Sequence, residues 1–568
     1  MKKRLLTKMW AALLCSALCT LTATAATLTV TNSVDGAPGS LRAQVAAATA
    51  GDTIDFAVTG NVQILSLGEI VIDKELYIIG NPGLTLISTG FTNRVFNIDD
   101  ANRVYLEGLI ITNGSVANVG GGIAIDSTDV TVDNCQIINN FAGGSAANQG
   151  GGGIYNNAGT LIIQNNSLID RNHASGTSGS GGGILNNGGG VVMVMNSTVS
   201  NNTSQRAGGG IEGTSTGGKI MLTGVSLIDN NTGPMPGNGA GLHVTGADTV
   251  IISGGTVSGN IAASEGGGLW NNGGYMSVTG TLIRNNTASG NASDNGGGGI
   301  FNNGGDMDIV AIIRSNLATG TSGSGGGIFS TDGDINVTLT NLDSNSANRA
   351  GGAVEIIDGT FDFDGRSTML YNDVNGTAGT PNPGNGGGVH VTGTGAVTIS
   401  DIQIGYNEAA REGGGLWNQV GATMTINNCL IDFNNALGAA VDDGGGGIFN
   451  NGGTLNINFG TLITDNSAIN GLANGGGIMN FGGIVNITNA TLTANQAARA
   501  GGGLENDNGT VTVTGALFGN NTAGINGGGI HVSGTGNTDV IGGTFSNNVA
   551  QQEGGGLWNA GGTMTIDG

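Results

Sequence analysis

The chain has 568 residues, of which 113 are glycine and only 6 are proline, so a collagen-like Gly-X-Y helix is excluded. Hydrophobic residues make up 38% and charged residues 10%, which is too apolar for a disordered coil, while 4% aromatic residues are too few for a large compact core. The net charge of −23 argues against binding to nucleic acid or anionic membranes. A repetitive fold with a narrow core stacked along one axis is favoured.

Residues 1–25 have the pattern of a secretory signal peptide. Four basic residues fall within the first eight positions, an apolar run follows from Met9 to about Leu21, and Ala23-Thr24-Ala25 offers a small-residue cleavage site. This run is too short to span a membrane, and no later stretch reaches ~20 apolar residues. The pattern predicts a protein that is secreted or exposed on the cell surface, with no transmembrane segment.

Residues 26–119 lack the repeat that fills the rest of the chain. They contain Gly39-Ser-Leu-Arg42, an Ala-rich stretch and Gly51-Asp-Thr-Ile54. This composition predicts a strand, a short amphipathic helix and the first irregular coils. Because an open solenoid end exposes unpaired strand edges, we interpret the segment as an N-terminal cap.

Residues 120–568 repeat two short phrases every 26–35 residues. The Gly phrase is a glycine run followed by an apolar residue, as in GGGLWNN around Trp270. The Asn phrase is an apolar residue, two variable residues and Asn, as in Ile283-Arg-Asn-Asn286. A fixed period of this length is the signature of a repeat architecture. The last strand pattern, Thr563–Asp567, stops where another Asn phrase is due, so we expect a chain truncated at its C-terminus.

The repeat unit predicts an all-β fold. Val, Ile and Thr alternate with polar residues at period two, and no helical period is sustained. Stacking of successive coils pairs each strand with its equivalents at about 4.8 Å, which gives a parallel β-helix, and crossover chirality favours the right-handed form. Gly permits the sharp turns, and Asn at one site in every coil is expected to form a ladder of amide hydrogen bonds.

A longer period of five coils lies over the short one. Tyr155 to Phe301 is 146 residues and Phe301 to Phe449 is 148, which places blocks near 155–300, 301–448 and 449–568. The residue after the apolar position of the Gly phrase changes from coil to coil, and its Glu-His-Trp order occurs in all three blocks. The candidate binding residues at this position are Tyr155, Glu212, His243, Trp270, Phe301, Glu355, His390, Trp417, Phe449, Glu505, His531 and Trp558.

Period-two alternation turns these twelve side chains outward, and we expect them to form an exposed stripe with Glu, His and Trp on adjacent coils. One interpretation is lateral packing, in which the rings cover neighbouring strands and Glu pairs with His. The other is a multivalent platform for a long ligand, such as a glycan or a surface protein of a host or neighbouring cell.

The mature chain keeps two cysteines, Cys135 and Cys429. Each follows an Asn at a similar strand position, ten or so coils apart. This spacing predicts two small apolar core residues and no disulfide framework.

A polysaccharide-active enzyme is the alternative class, because many such enzymes are β-helices. Lyase chemistry with Ca²⁺ needs clustered carboxylates beside a basic residue, and the best candidate set is Asp358, Asp362 and Asp364 with Arg366. A solvated loop has the same composition, and we favour that interpretation. No motif predicts a catalytic residue, a metal or another cofactor.

The Gly phrase and the Phe-x-x-Asn form of the Asn phrase, literal at Phe518–Asn521 and Phe545–Asn548, resemble the repeats of the polymorphic outer-membrane proteins of chlamydial type. The resemblance covers nearly all of the mature chain. It implies a β-helical surface protein with an adhesin-like or structural role.

Overall fold

A computed structural model describes residues 25–58, 62–81, 85–214, 217–233, 237–246, 248–376 and 383–568. The predicted signal peptide therefore lies outside the described residues, apart from Ala25. The described chain is a parallel β-helix of about 19 turns, which confirms the predicted fold class. Its right-handed sense, the block boundaries and the truncation stay predictions.

One turn in the second block shows how each coil is built. Its strands belong to three parallel sheets, which we call A, B and C. Leu416–Gln419 lies in sheet B, Thr423–Asn427 and Leu430–Asp432 follow in sheet A, and Asn435–Ala436 belongs to sheet C. A loop over residues 437–447 then leads to the next Gly phrase. Each strand pairs in parallel with its equivalents in the coils before and after, as Leu416 does with Val389 and Ile448.

Sheet B carries the Gly phrases and runs through the described residues from Ile70–Ile72 to Leu557–Asn559. Its strands are Ile70–Ile72, Phe96–Asp99, Ile123–Asp126, Ile154–Asn157, Ile184–Asn187, Ile211–Gly213, Leu242–Thr245, Leu269–Asn272, Ile300–Asn303, Ile328–Ser330, Val354–Ile356, Val389–Val391, Leu416–Gln419, Ile448–Asn451, Ile478–Phe481, Leu504–Asp507, Ile530–Ser533 and Leu557–Asn559. Sheet A begins at Thr27–Val30 and ends at Thr563–Asp567, and sheet C runs from Ser115–Val116 to Val549–Ala550.

The interior of the tube is a continuous stack of aliphatic side chains. In the representative turn Leu416, Met424, Ile426 and Ile431 are fully buried in it, one from sheet B and three from sheet A. Fully burying a side chain of this size contributes about 1.5–3 kcal/mol to the free energy of unfolding. Every coil buries a similar set of side chains, so each coil adds a similar increment of stability.

Glycine is required in the Gly phrase for two separate reasons. Gly413 has φ +64°, a left-handed conformation that residues with a side chain rarely adopt. A Cβ on Gly414 would lie 2.4 Å from the carbonyl oxygen of Gly446 and 2.5 Å from the amide nitrogen of Asn435. The backbone of one coil thus rests directly on the next at this position.

The predicted amide ladder is present and unbroken through fifteen coils. In each rung the Nδ2 of one Asn donates to the Oδ1 of the next, with donor–acceptor distances of 2.9–3.2 Å; Asn345, for example, donates to Asn372 at 3.1 Å. The ladder residues are Asn140, Asn172, Asn202, Asn230, Asn260, Asn286, Asn316, Asn345, Asn372, Asn407, Asn434, Asn466, Asn495, Asn521 and Asn548.

The segment before the repeats contains the strand and helix that its sequence predicts. Thr27–Val30 is a strand, and Leu41–Ala47 is a helix whose first turn is capped by Ser40, with the amide of Ala43 donating to its Oγ at 3.2 Å. Its role as a cap stays a prediction. Among the described residues, no helix is long and apolar enough to cross a membrane.

Cys135 and Cys429 are both free thiols buried in the core, as predicted. Burial raises the pKa of Cys135 to about 12 and that of Cys429 to about 11. Because the thiolate is the reactive species, we expect neither residue to react with iodoacetamide at pH 8 in the folded protein, and both to react in denaturant. Peptide mapping by mass spectrometry checks this, and rapid native labelling of either cysteine would contradict it.

Candidate functional site

The Glu, His and Trp positions of each block lie side by side on successive strands of sheet B, as the sequence predicts. In the second block Glu355 pairs with His390, and His390 pairs with Trp417, in parallel register. The His390 and Trp417 rings stack with centroids 4.2 Å apart and an interplanar angle of 17°, and His243 and Trp270 repeat this contact at 4.1 Å in the first block.

The expectation that this stripe is exposed is wrong. Trp417 is 0% and Trp270 only 6% exposed. The other buried members are Glu212, His243, Phe301, Glu355, His390, Phe449, Glu505 and His531, while Tyr155 and Trp558 are half-buried. In the first two blocks a glutamate just before the Gly phrase contacts the Trp ring: Glu412 accepts a hydrogen bond from Trp417 Nε1 at 3.1 Å, and Glu265 does the same for Trp270.

Lateral packing is therefore the interpretation that the geometry supports. The side chains turn away from the tube interior and form two aromatic clusters of their own. Each cluster crosses a block boundary: Trp270, Phe301 and Phe329 join the first block to the second, and Trp417, Phe449 and Met479 join the second to the third. The rings of these two clusters are buried and do not form the exposed stripe that the sequence predicts.

Each buried glutamate of the stripe is matched by a histidine, and in the first two blocks also by an arginine. Arg349 Nη2 donates to Glu355 Oε1 at 2.9 Å, and the Glu355 Oε2–His390 Nδ1 distance is 2.8 Å. Burial lowers the pKa of His390, so its ring is neutral and donates from Nδ1. Burial alone would raise the pKa of Glu355, but His390 and Arg349 together hold it below its usual value.

The carboxylates considered for a calcium site do not converge. Asp362 and Asp364 are exposed on the strand Thr360–Asp364, whereas Asp358 precedes that strand and accepts two hydrogen bonds from Thr394. Within the described part of the chain, no three His, Cys, Asp or Glu side chains are grouped closely enough to hold a metal ion. The weak calcium candidate is thus not supported.

The structure reveals a different surface feature that sequence reasoning missed, which we call the aromatic ladder: Tyr371, Tyr406 and Phe433. Their rings stack with centroids 5.0 Å apart in both steps and interplanar angles of 21° and 13°. They are 57%, 42% and 47% exposed, so about half of the surface of these side chains faces solvent.

The aromatic ladder occupies a backbone position that disfavours large side chains. Tyr371, Tyr406 and Phe433 have φ of 59°, 56° and 54°. The same turn position in the corresponding coils of the other blocks holds Asp229, Gly259, Asn285, Asn520 and Asn547, all at positive φ. A left-handed conformation costs roughly 1–2 kcal/mol for residues other than Gly, Asn and Asp, which is at least as much as the ~0.5–1.5 kcal/mol of one aromatic contact. Stability alone does not explain the ladder.

Polar groups flank the aromatic ladder on the same three coils. Tyr406 directly follows the strand Gln403–Gly405, at whose start Gln403 Nε2 donates to both carboxylate oxygens of Asp432 at 3.0 Å. At the other end of these strands lies an open groove of about 620 Å³, lined in part by Arg366 and Asp401. The second block thus carries rings, hydrogen-bonding groups and a groove on one face of the rod.

No protein-family model, curated protein or solved structure matches the chain. The resemblance to polymorphic outer-membrane proteins therefore stays a likeness of motifs, and the shared property that the structure supports is the β-helix. One sequence signal could have located the aromatic ladder: the residue before the ladder Asn is aromatic in Tyr371-Asn372, Tyr406-Asn407 and Phe433-Asn434.

Proposed function

We propose that this protein is a secreted or surface-exposed, adhesin-like β-helical rod that binds an uncharged, extended polysaccharide along the aromatic ladder. The observation that carries the proposal is the ladder itself, three exposed rings at strained positions in one block only. The signal-peptide pattern and the resemblance to polymorphic outer-membrane proteins support the surface location. The enzyme alternative remains open, and no described residue set favours it.

The surroundings of the ladder favour a polysaccharide over an apolar partner. The three stacked rings are flanked by the polar pair Gln403 and Asp432, and the groove at the other end of the same strands adds Arg366 and Asp401. Sugars offer both C–H faces for aromatic contacts and hydroxyls for such polar groups. The acidic chain repels polyanions, which is why we expect an uncharged glycan.

The proposal predicts that Tyr371→Asn, Tyr406→Asn and Phe433→Asn together abolish glycan binding without unfolding the rod. Asn is the residue that equivalent turns use, so strain is relieved while stacking is lost, and we expect the melting temperature to change little. Retention of the wild type and the triple variant on insoluble cellulose, chitin and xylan measures binding. We expect at least a tenfold loss for the glycan that the wild type retains.

A matched control replaces exposed aromatic residues outside the ladder. Tyr275→Asn and Phe459→Asn remove side chains that are 41% and 74% exposed, and binding should be unchanged. Equal retention of the wild type and the triple variant, or no retention of the wild type on any of the three polymers, overturns the proposal.

A further inference from the structure

A small cavity of about 220 Å³ lies beside the covered stripe of the second block. Its lining includes Asn385, Arg411, Glu412, Asp442, Phe449 and Phe481, contributed by four successive coils. Each ring of the aromatic ladder lies just before the sheet C strand of its own coil, and the loop residues that line the cavity lie after that strand. The two features are therefore separate.

Glu412 is the group at the cavity whose hydrogen bonding is incomplete among the described residues. Asn385 is 2% exposed and its Nδ2 donates to Glu412 Oε2 at 3.1 Å, while its buried Oδ1 makes no hydrogen bond, as is also true of the equivalent Asn238 Oδ1 and Asn526 Oδ1 in the other two blocks. Glu412 Oε2 also accepts from Trp417 Nε1, whereas the nearest cation to Oε1 is Arg411 Nη2 at 3.7 Å. A buried acceptor left unpaired costs about 1–3 kcal/mol unless something else donates to it.

The first block shows the same arrangement in a closed form. There Glu265 Oε2 accepts from Trp270 and Asn238, and Asn295 Nδ2 donates to Oε1 at 2.8 Å, so both carboxylate oxygens have partners. In the second block the counterpart of Asn295 is Asp443, which accepts from Arg411 at 2.8 Å instead. Glu412 Oε1 therefore lacks the hydrogen bond that Glu265 Oε1 accepts from Asn295 in the first block.

Electrostatics at Glu412 suit a neutral ligand. Burial raises the pKa of Glu412 to about 7, and Asp443 and Asp442 add to the shift against the opposing effect of Trp417 and Arg411. The carboxyl group can therefore donate or accept a hydrogen bond near neutral pH. A cationic ligand would meet Arg411, and an anionic one would meet Asp442.

We propose that this cavity binds a single uncharged sugar ring, one of whose hydroxyl groups contacts Glu412 Oε1 and whose C–H face lies against Phe481. The volume fits one such ring and is below the ~300–1,000 Å³ of pockets for larger ligands. This binding does not depend on the aromatic ladder, because the two features share no residue.

The test uses the closed first block as a template. Arg411→Ser with Asp443→Asn installs the residues found at Ser264 and Asn295, so that residue 443 can donate to Glu412 Oε1. Ligand-observed saturation-transfer NMR with the methyl glycosides of glucose, galactose, mannose, xylose and N-acetylglucosamine measures binding at pH 7. We expect transfer to at least one glycoside in the wild type and at least a tenfold weaker response in the double variant, with an unchanged far-UV circular dichroism spectrum.

Two further proteins separate the possible outcomes. Phe481→Thr, which copies Thr331 at the equivalent position one block earlier, should also weaken transfer, whereas the triple Asn variant of the aromatic ladder should retain it. Transfer that disappears only in the ladder variant, that persists at full strength in Arg411→Ser/Asp443→Asn, or that is absent from the wild type overturns the cavity site. None of these results determines the outcome of the polymer-binding assay, which tests the aromatic ladder separately.

Discussion

Replacing Asn345 by Leu is expected to destabilise the rod by about 3–6 kcal/mol, because the substitution breaks the amide ladder at its centre. Asn345 Oδ1 accepts from the backbone amide and from the side-chain Nδ2 of Asn316, at 3.1 and 3.0 Å. Its Nδ2 donates to the carbonyl of Ile313 and to Asn372 Oδ1. A leucine fills the space but leaves two buried donors of Asn316 without acceptors.

The loss should be local as well as large. Coils of a solenoid contact only their neighbours, so we expect hydrogen exchange to accelerate first around Asn316 and Asn372. Asn336→Leu is the matched control, since Asn336 is exposed and donates only to Asp308. Urea unfolding and site-resolved exchange should leave this control near the wild type. An unchanged midpoint for Asn345→Leu would show that the ladder follows from the fold without stabilising it.

Local chemistry explains why the fold was predictable from sequence. Gly414 is dictated by backbone contact with the next coil, and Asn345 by four hydrogen bonds that only an amide can satisfy together. Such requirements repeat in every coil, so they are visible as a period. Alternation of buried and outward residues, as at Leu416 and Trp417, follows from strand geometry.

Exposure was not predictable in the same way. Alternation shows that Trp417 leaves the tube interior, but it does not show what covers the ring. Glu stands five residues before Trp in all three blocks, at Glu265, Glu412 and Glu553, yet spacing alone does not reveal that the carboxylate of Glu412 accepts a hydrogen bond from Trp417. The aromatic ladder was not predicted from the sequence for a different reason. Tyr406 follows the repeat in spacing and departs from it only in residue type, at a turn whose positive φ is known from the structure.

Replacing Arg349 by Met is expected to cost about 3–5 kcal/mol at pH 7.5, because it leaves the Glu355 carboxylate buried with two neutral partners, His390 and the Thr392 hydroxyl, and no positive charge beside it. Arg349 is 4% and Glu355 0% exposed, so water cannot take the place of the guanidinium. The matched control is Arg171→Met, whose side chain is 61% exposed beside Asp170 and should contribute less than about 1 kcal/mol.

The cost of Arg349→Met should shrink as the pH falls. In the wild type, His390 and Arg349 hold the pKa of Glu355 below its usual value against the effect of burial, so its contribution to stability is present above the unfolded pKa. Without Arg349 the effect of burial prevails, the folded-state pKa rises, and the folded variant binds a proton that the unfolded chain releases. Stability of the variant relative to the wild type is then recovered below the unfolded pKa of glutamate, about 4.3, and lost as the pH rises. Urea unfolding of both proteins at pH 4.5, 6 and 7.5 measures this difference, and a difference that stays constant or widens toward pH 4.5 would contradict an uncompensated Glu355 charge as its cause.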